Sequence, residues 1–177
     1  MKKFLLTLSM TALLLFTAGC NCPFSDKTAD SKPQMNTAAA SAAKTAPDFS
    51  YKELGSGKTM RLSDLKGKPV FINFWATWCP PCVGELPHIE KKYAEYKDRM
   101  HFVILSVDDN EQEPARFIQS KGYTFPAAYG DHQALGRAYG IDAIPASYII
   151  SADGRIVAST VGSMNESSLD AFLQKAF

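Results

Sequence analysis

The sequence predicts an α/β fold in which helices pack against a central mixed β-sheet. From Pro47 to Phe177, short apolar runs alternate with stretches in which apolar residues recur every three or four positions. The last two strand candidates flank Asp153-Gly154, a dipeptide that strongly favours a tight hairpin and hence an antiparallel pair. Strands that alternate with helices and then end in a hairpin indicate helices on both faces of a mixed sheet.

The first elements follow from local patterns of apolar residues. Short strands are predicted at residues 49–51 and 60–62. Residues 70–75, Val-Phe-Ile-Asn-Phe-Trp, form a near-continuous apolar run, which is typical of a central strand buried on both faces. A helix is predicted at residues 79–97, because large apolar residues recur there at helical spacing.

The later elements are a buried strand at 101–107, a helix at 114–121, a strand at 125–129, a helix at 132–139 and hairpin strands at 147–150 and 155–161. Pro114 suits the first turn of its helix, and Gly122 suits its end. Ser163 and Glu166 have the spacing of a capping box, so the last helix is predicted to begin there, with Ser163 as its cap.

Composition excludes several classes of protein. The chain has 177 residues, with 19 Lys and Arg against 18 Asp and Glu, so its formal net charge is only +1. A balance this even gives no electrostatic footprint for nucleic acid, and we expect no nucleic-acid partner. With 46% hydrophobic and 21% charged residues, the composition is that of an ordinary globular protein of one domain.

The amino-terminal residues are predicted to lie outside the folded domain. Residues 1–19 combine two lysines, an apolar run and a small-residue end, which is typical of a secretory signal peptide. The alternative is a membrane anchor, but about 13 apolar residues fall short of the roughly 20 that cross a bilayer. Residues 20–46 contain hardly any large apolar residue and are predicted to form a flexible tether.

Cys20 is a candidate for lipid modification. The tripeptide Ala-Gly-Cys at residues 18–20 resembles the lipobox of bacterial lipoproteins, although Thr17 stands where that motif usually has an aliphatic residue. The resemblance implies a lipid anchor on Cys20. Ordinary cleavage nearby is the alternative, and it would leave Cys20 and Cys22 in the tail.

The other two cysteines, Cys79 and Cys82, lie between a predicted buried strand and a predicted helix. A Cys-x-x-Cys motif in this context indicates a redox dithiol. Unpaired amide donors and the partial positive charge of a helix amino terminus stabilise a thiolate and lower its pKa. We expect Cys79 to be the exposed nucleophile and Cys82 to be the buried resolving thiol.

The sequence around this pair resembles the thioredoxin superfamily. Residues 74–82, Phe-Trp-Ala-Thr-Trp-Cys-Pro-Pro-Cys, look like its active site, and with Val-Gly-Glu-Leu-Pro at 83–87 they are similar to the TlpA/ResA-like extracytoplasmic thiol-disulfide oxidoreductases. Ala-Pro-Asp-Phe at 46–49 and Tyr-Gly-Ile-Asp-Ala-Ile-Pro at 139–145 extend the match over residues 47–177. The resemblance implies a thioredoxin fold with additional amino-terminal strands and a helix–strand insertion at residues 109–130.

The resemblance also implies roles for individual residues. Pro145 should follow a cis peptide bond beside the Cys79 sulfur, where the Ile144 backbone can receive a substrate chain. Glu85 should modulate the pKa values of the two thiols and handle their protons, although a solvated glutamate is the default for such a helix position. Asn73 stands where thioredoxin has a buried aspartate, which leaves Glu85 as the nearer proton acceptor.

Pro80 and Pro81 have no backbone N–H, so a Cys79 thiolate retains only the Cys82 N–H and the helix dipole. This predicts a Cys79 pKa near the upper end of the known range and a reduction potential closer to thioredoxin than to strongly oxidising enzymes. Together with Trp78, the two prolines are candidates for substrate contact. Trp75 is expected in the core.

The predicted function is reduction of protein disulfides outside the cytoplasm. The resemblance implies electrons from a transmembrane thiol donor and substrates such as the cysteines of apocytochromes c. We expect protein thiols and disulfides as partners, a membrane-tethered lipoprotein, a monomer, and neither a cofactor nor a metal.

Several alternatives remain on the same fold. Disulfide oxidases and isomerases differ from reductases in potential and partner rather than in residue type. A thiol peroxidase would have threonine three residues and proline seven residues before its cysteine, where this chain has Ala76 and Ile72. A copper chaperone would use Cys-x-x-x-Cys with a distal histidine, one residue more than the spacing here.

Overall fold

The computed structural model describes residues 44–177. Seven strands form one sheet: β1 (Ser50–Glu53), β2 (Thr59–Arg61), β3 (Val70–Trp75), β4 (His101–Ser106), β5 (Ala127–Tyr129), β6 (Ala146–Ile150) and β7 (Ile156–Val161). Four α-helices connect or follow them: α1 (Pro80–Tyr96), α2 (Gln112–Lys121), α3 (His132–Tyr139) and α4 (Glu166–Leu173). Two short 3-10 helices span Leu62–Leu65 and Gln174–Ala176.

The sheet is mixed, and its strand order is β2-β1-β5-β4-β3-β6-β7. Strand β4 pairs in parallel with β3 and with β5, and all the other neighbouring strands of this sheet are antiparallel. The predicted mixed sheet is therefore confirmed. The central strand β3 is buried along its whole length, as its continuous apolar run predicts.

Helices cover both faces of the sheet and bury two apolar layers. One layer joins α1 and α4 to the sheet through residues such as Leu86, Ile89 and Leu169, and α2 packs against it through Phe117. The other layer joins α3 and the first 3-10 helix to the opposite face. The core of the described domain is thus a helix–sheet–helix sandwich.

The amino-terminal strands and the insertion of α2 and β5 occur as the sequence resemblance implies. Strand β5 pairs in parallel with β4 on one side and antiparallel with β1 on the other, so it connects the amino-terminal hairpin to the central sheet. Thr45, near the start of the described chain, forms an antiparallel bridge with Arg155 at the opposite edge.

Several predicted element boundaries differ from the observed ones, and for three of them the structure shows a hydrogen-bonding reason. Helix α2 begins at Gln112 because the Asn110 side chain accepts hydrogen bonds from the next amides. Strand β5 excludes Phe125 because that residue's N–H donates to the carboxylate of Glu90. Helix α4 is capped by Asn165, whose side chain accepts from the Ser168 amide, and not by Ser163.

Candidate active site

Cys79 and Cys82 form a disulfide at the amino terminus of α1, with a sulfur–sulfur distance of 2.05 Å. Cys79 is the N-cap residue of the helix, and its Sγ accepts a hydrogen bond of 3.3 Å from the Cys82 amide. Pro80 and Pro81 fill the first two helical positions, and neither has an N–H. The Cys82 amide is therefore the nearest helix-end donor to Cys79, as the sequence predicts.

The burial of Cys79 differs from the prediction. In the disulfide form Cys79 is only 5% exposed and Cys82 only 1% exposed, so the expectation of an exposed nucleophile is wrong for this state. The reason is the segment opposite, which brings the Ile144 carbonyl oxygen to 3.9 Å from Cys79 Sγ. The exposed surface around the disulfide belongs to Trp78, at 65%, and to the two prolines.

The segment opposite the disulfide contains the cis peptide bond between Ile144 and Pro145 that the resemblance implies. The Pro145 carbonyl accepts a 2.8 Å hydrogen bond from the Gly162 amide, which links this segment to the residue after β7. Ile144 is half-buried and Pro145 is buried. The structure thus brings Cys79, Cys82, Ile144 and Pro145 together.

Glu85 is buried beneath the amino-terminal turn of α1 rather than solvated. It is 1% exposed, and its carboxylate accepts hydrogen bonds from the Met164 amide at 3.0 Å and from Asn73 Nδ2 at 3.4 Å. Burial raises the pKa of Glu85 to about 7, while the two hydrogen bonds oppose this rise. The carboxyl group can therefore gain and lose a proton near neutral pH.

Asn73 lies at the centre of this buried group. Its side chain is completely buried on β3, and Nδ2 also donates to Ser147 Oγ at 3.0 Å. The two residues are direct partners in the β3–β6 ladder. Sequence analysis did not find Ser147, because nothing short of the strand register places it beside Asn73.

Asp108 is a second buried carboxylate close to the active site, and sequence analysis missed its role. It is fully buried, and it accepts hydrogen bonds from the Thr77 amide at 3.2 Å, from Thr77 Oγ1 at 2.7 Å and from Ser106 Oγ at 2.7 Å. Thr77 lies two residues before Cys79. Asp108 therefore fixes the loop that carries Trp78 and Cys79 into α1.

The two tryptophans lie in different environments, with Trp75 in the core as the sequence predicts and Trp78 on the surface. Trp75 is completely buried, donates through Nε1 to the Ile104 carbonyl at 3.4 Å and packs against Phe117 of α2. Trp78, three residues later, is the most exposed large apolar residue beside the disulfide. Its position is compatible with the predicted substrate contact.

Other features of the described region lie away from this site. A cavity of about 750 Å³ between α2 and strands β1 and β5 is lined by none of the active-site residues. Within residues 44–177, no three His, Cys, Asp or Glu side chains are placed to hold a metal ion. No helix there is long and apolar enough to cross a bilayer. Cys20 and the predicted signal peptide lie outside the described residues.

Comparison with known proteins agrees with this geometry. The Redoxin family model matches residues 41–173. Thiol-disulfide oxidoreductase ResA of Bacillus thuringiensis is 36% identical over 133 residues, which cover 75% of this chain and 76% of that protein. The ResA protein of Halalkalibacterium halodurans is 33% identical over 174 residues, covering 98% of this chain and 94% of its own.

A solved structure gives the same result for the fold. The exposed lipoprotein thioredoxin Etrx1 of Streptococcus pneumoniae aligns with a TM-score of 0.64 at 27% identity, over 73% of this chain and 99% of that one. The relatives are thiol-disulfide oxidoreductases by name, and the disulfide at the start of α1 is a group that can perform this chemistry. The chain belongs to the Redoxin family and is a TlpA/ResA-like thiol-disulfide oxidoreductase of the thioredoxin superfamily.

Proposed function

We propose that this oxidoreductase reduces protein disulfides outside the cytoplasm, with Cys79 as the nucleophile, Cys82 as the resolving thiol and Glu85 as the proton acceptor. The observation that carries the proposal is a buried carboxyl group on α1, one turn after Cys82, in a helix whose amino terminus holds the disulfide. A disulfide at this place supports reversible dithiol chemistry.

The reaction begins with the reduced dithiol. The Cys79 thiolate attacks one sulfur of the substrate disulfide, forms a mixed disulfide and releases the other substrate sulfur as a thiolate, which takes up a proton. Cys82 passes its proton to the Glu85 carboxylate and attacks Cys79 Sγ. The second substrate sulfur leaves as a thiolate and takes up a proton from solvent, and Glu85 releases the Cys82 proton to solvent. Two electrons have then moved from the enzyme dithiol to the substrate.

Binding of substrate in this proposal involves Trp78, Pro80 and Pro81 on one side of the disulfide, and Ile144 and Pro145 on the other. The exposed Trp78 ring and the half-buried Ile144 offer apolar contact next to the sulfur atoms. An extended substrate chain would lie along the Ile144 backbone. Such contacts would place a substrate disulfide beside Cys79.

The direction of electron flow follows from the stability of the Cys79 thiolate. A strongly stabilised thiolate makes the dithiol form stable and the enzyme oxidising. Here Pro80 and Pro81 offer no amide donor, so the reduced form is less stabilised and the enzyme is the better reductant. We expect a reduction potential near that of thioredoxin, which is about −270 mV. Strongly oxidising enzymes have a much higher potential, about −120 mV.

The test is a redox titration of the Cys79/Cys82 couple in dithiothreitol and glutathione buffers. Cys79→Ser is the control, since it removes the couple while Cys82 remains. A potential near −270 mV supports the reductase. A potential near about −120 mV would overturn it and make disulfide insertion the function.

We propose residues 47–177 as the catalytic domain, 1–19 as a signal peptide and 20–46 as a tether lipid-anchored at Cys20, whose last three residues, 44–46, are bound beside the β6–β7 hairpin. This anchor would let a transmembrane thiol donor re-reduce the monomeric enzyme. Its substrates would include apocytochrome c disulfides.

The lipobox-like sequence supports the anchor, and the pneumococcal structure is itself described as an exposed lipoprotein. Cys20→Ser should move the protein from the membrane to the soluble fraction, whereas Cys22→Ser should leave it on the membrane. Equal fractionation of wild type and Cys20→Ser would contradict the anchor.

A further inference from the structure

A groove lies beside the active site, between the loop that precedes the disulfide and helix α2. Its volume is about 360 Å³, and its lining consists of Thr77, Glu113, Arg116, Phe117 and Ser120. Thr77 lies two residues before Cys79, so at most about 7 Å separates their Cα atoms. Trp78, the residue between them, is 65% exposed. The α2 groove, as we name it, therefore continues the surface around the disulfide.

The interior of the α2 groove is apolar. Phe117 is half-buried, and its ring packs against Trp75 with the two ring centroids 5.7 Å apart. The Thr77 hydroxyl donates to Asp108 at 2.7 Å, and the Thr77 amide donates to the same carboxylate at 3.2 Å. Because the hydroxyl points to the buried Asp108, the methyl group is the part of the Thr77 side chain left to line the groove. An aromatic ring and a methyl group thus face an occupant.

The rim of the α2 groove is polar. Glu113 and Arg116 are exposed and lie three residues apart, which places them on the same side of α2. Neither forms an ion pair with another side chain of residues 44–177. A carboxylate accepts hydrogen bonds and a guanidinium donates them, so this rim can bind both the N–H and the C=O groups of an extended polypeptide. A polar rim around an apolar centre is typical of protein–protein interfaces.

The burial of Cys79 brings a substrate into contact with this region. Because Cys79 is only 5% exposed, a protein substrate must press the residues beside its own cysteine against the surface around the disulfide. Ile144 and Pro145 form one border of that surface, and Trp78 leads from it into the α2 groove. An extended chain covers about 3.3 to 3.6 Å per residue, so a substrate residue two or three positions from its cysteine can reach the groove.

We propose that the α2 groove holds a large apolar side chain of the protein substrate, two or three residues from the substrate cysteine that Cys79 attacks. This proposal rests on the proposed function, in which a protein disulfide binds beside Cys79. The volume of about 360 Å³ is at the lower end of the about 300 to 1,000 Å³ of ligand pockets. The groove therefore accepts a side chain and selects substrates by the sequence near their cysteine. Phe117 and Thr77 are specificity-determining residues that take no part in the exchange of sulfur.

The test uses the reduced full-length chain and two synthetic peptides, each a symmetric dimer linked by its single cysteine. One peptide has phenylalanine two residues from the cysteine on both sides, and the other has serine there. The rate constant for reduction of each peptide is measured in single-turnover reactions, with Cys79→Ser as the background. We expect the phenylalanine peptide to react about tenfold faster, because part of its ring is buried in the groove.

Variants of α2 locate the source of this preference. Phe117→Ala removes the aromatic ring, and Ser120→Asp places a charge beside the occupant, so each should lower the ratio of the two rate constants to less than about threefold. The ratio is the readout because a general loss of redox activity lowers both rate constants alike. Ile118→Ala and Gln119→Asp are the matched controls, since both residues line the larger cavity near β1 and β5, and they should keep the ratio of the wild type.

The outcomes separate this proposal from the proposed function. Equal rate constants for the two peptides in the wild type would overturn the groove and leave the reductase intact. A preference that persists in both Phe117→Ala and Ser120→Asp would also overturn the groove, because Trp78 would then account for it. If Phe117→Ala does not fold, Ser120→Asp decides alone. A wild type that reduces neither peptide would overturn the proposed function, and this proposal with it.

Discussion

Glu85 affects the stability of the fold as well as its chemistry. A buried glutamate whose pKa is about 7 takes up a proton on folding at any pH between that value and about 4.5, its ordinary value. The folded state then binds more protons than the unfolded state. Stability must therefore fall as the pH rises through this window.

The corresponding prediction compares the wild type with Glu85→Gln in the disulfide form. The destabilisation due to Glu85 is absent below about pH 4.5 and complete above about pH 7. The difference in the free energy of unfolding between the two proteins should change by about 3 kcal/mol across the window, with glutamine gaining relative to glutamate as the pH rises. Urea unfolding at several pH values measures it, and a constant difference would contradict the raised pKa.

Asp108 is the other buried carboxylate, and its contribution is structural. Three donors from Thr77 and Ser106 converge on it, so Asp108→Ala would leave them without their acceptor. We expect a loss of at least about 3 kcal/mol in the free energy of unfolding. Asp109→Ala, at the exposed neighbouring residue, should stay within about 0.5 kcal/mol of the wild type. Chemical denaturation measures both losses, and similar losses in the two variants would show that Asp108 does not hold the Thr77 loop in place.

At the scale of elements, the boundaries show what sequence patterns can predict. Strand β3 and helix α3 lie where their patterns place them, because continuous apolar runs and glycine helix ends are local signals. The start of β5 was not predictable, since it depends on Glu90 of α1 accepting from Phe125, 35 residues away. Local patterns do not contain such contacts.

The start of α4 allows an experimental comparison of the predicted and the observed cap. Asn165 caps the helix, and Ser163 is exposed two residues earlier. Asn165→Ala should lower the free energy of unfolding by about 1 kcal/mol, whereas Ser163→Ala should change it by less than about 0.5 kcal/mol. Thermal or chemical unfolding of the two variants measures this, and the reverse order would restore the capping box predicted at Ser163.

At the scale of the whole molecule, some active-site residues could be predicted from the sequence and others could not. Cys79, Cys82 and Glu85 were predictable because they are neighbours on one helix. Ser147 and Asp108 reach the site only through the pairing of β3 with β6 and β4, so their positions follow from the register of the sheet. What the sequence lacked was the tertiary arrangement around the dithiol, including the burial of Cys79.

The described chain begins at the end of the sheet opposite the disulfide. Thr45 pairs with Arg155 at the start of β7, while the far end of β7 pairs with Ala146, the residue after Pro145. Strand β3 has six residues, so roughly 20 Å of sheet separates its start from the Cys79 end. A change at the amino-terminal segment is therefore remote from the dithiol.

This arrangement predicts that stability and redox chemistry respond differently to truncation. A fragment of residues 50–177 lacks buried Ala46, the Asp48 bonds to Arg61 and Ser63, and the Phe49 ring that packs against Tyr139. Compared with residues 44–177, it should lose about 3 to 5 kcal/mol of unfolding free energy. The potential of the Cys79/Cys82 couple should stay the same in both fragments, because the lost contacts lie far from it. Equal stability would show that these contacts contribute little, and a changed potential would show that the amino-terminal segment acts on the dithiol across the sheet.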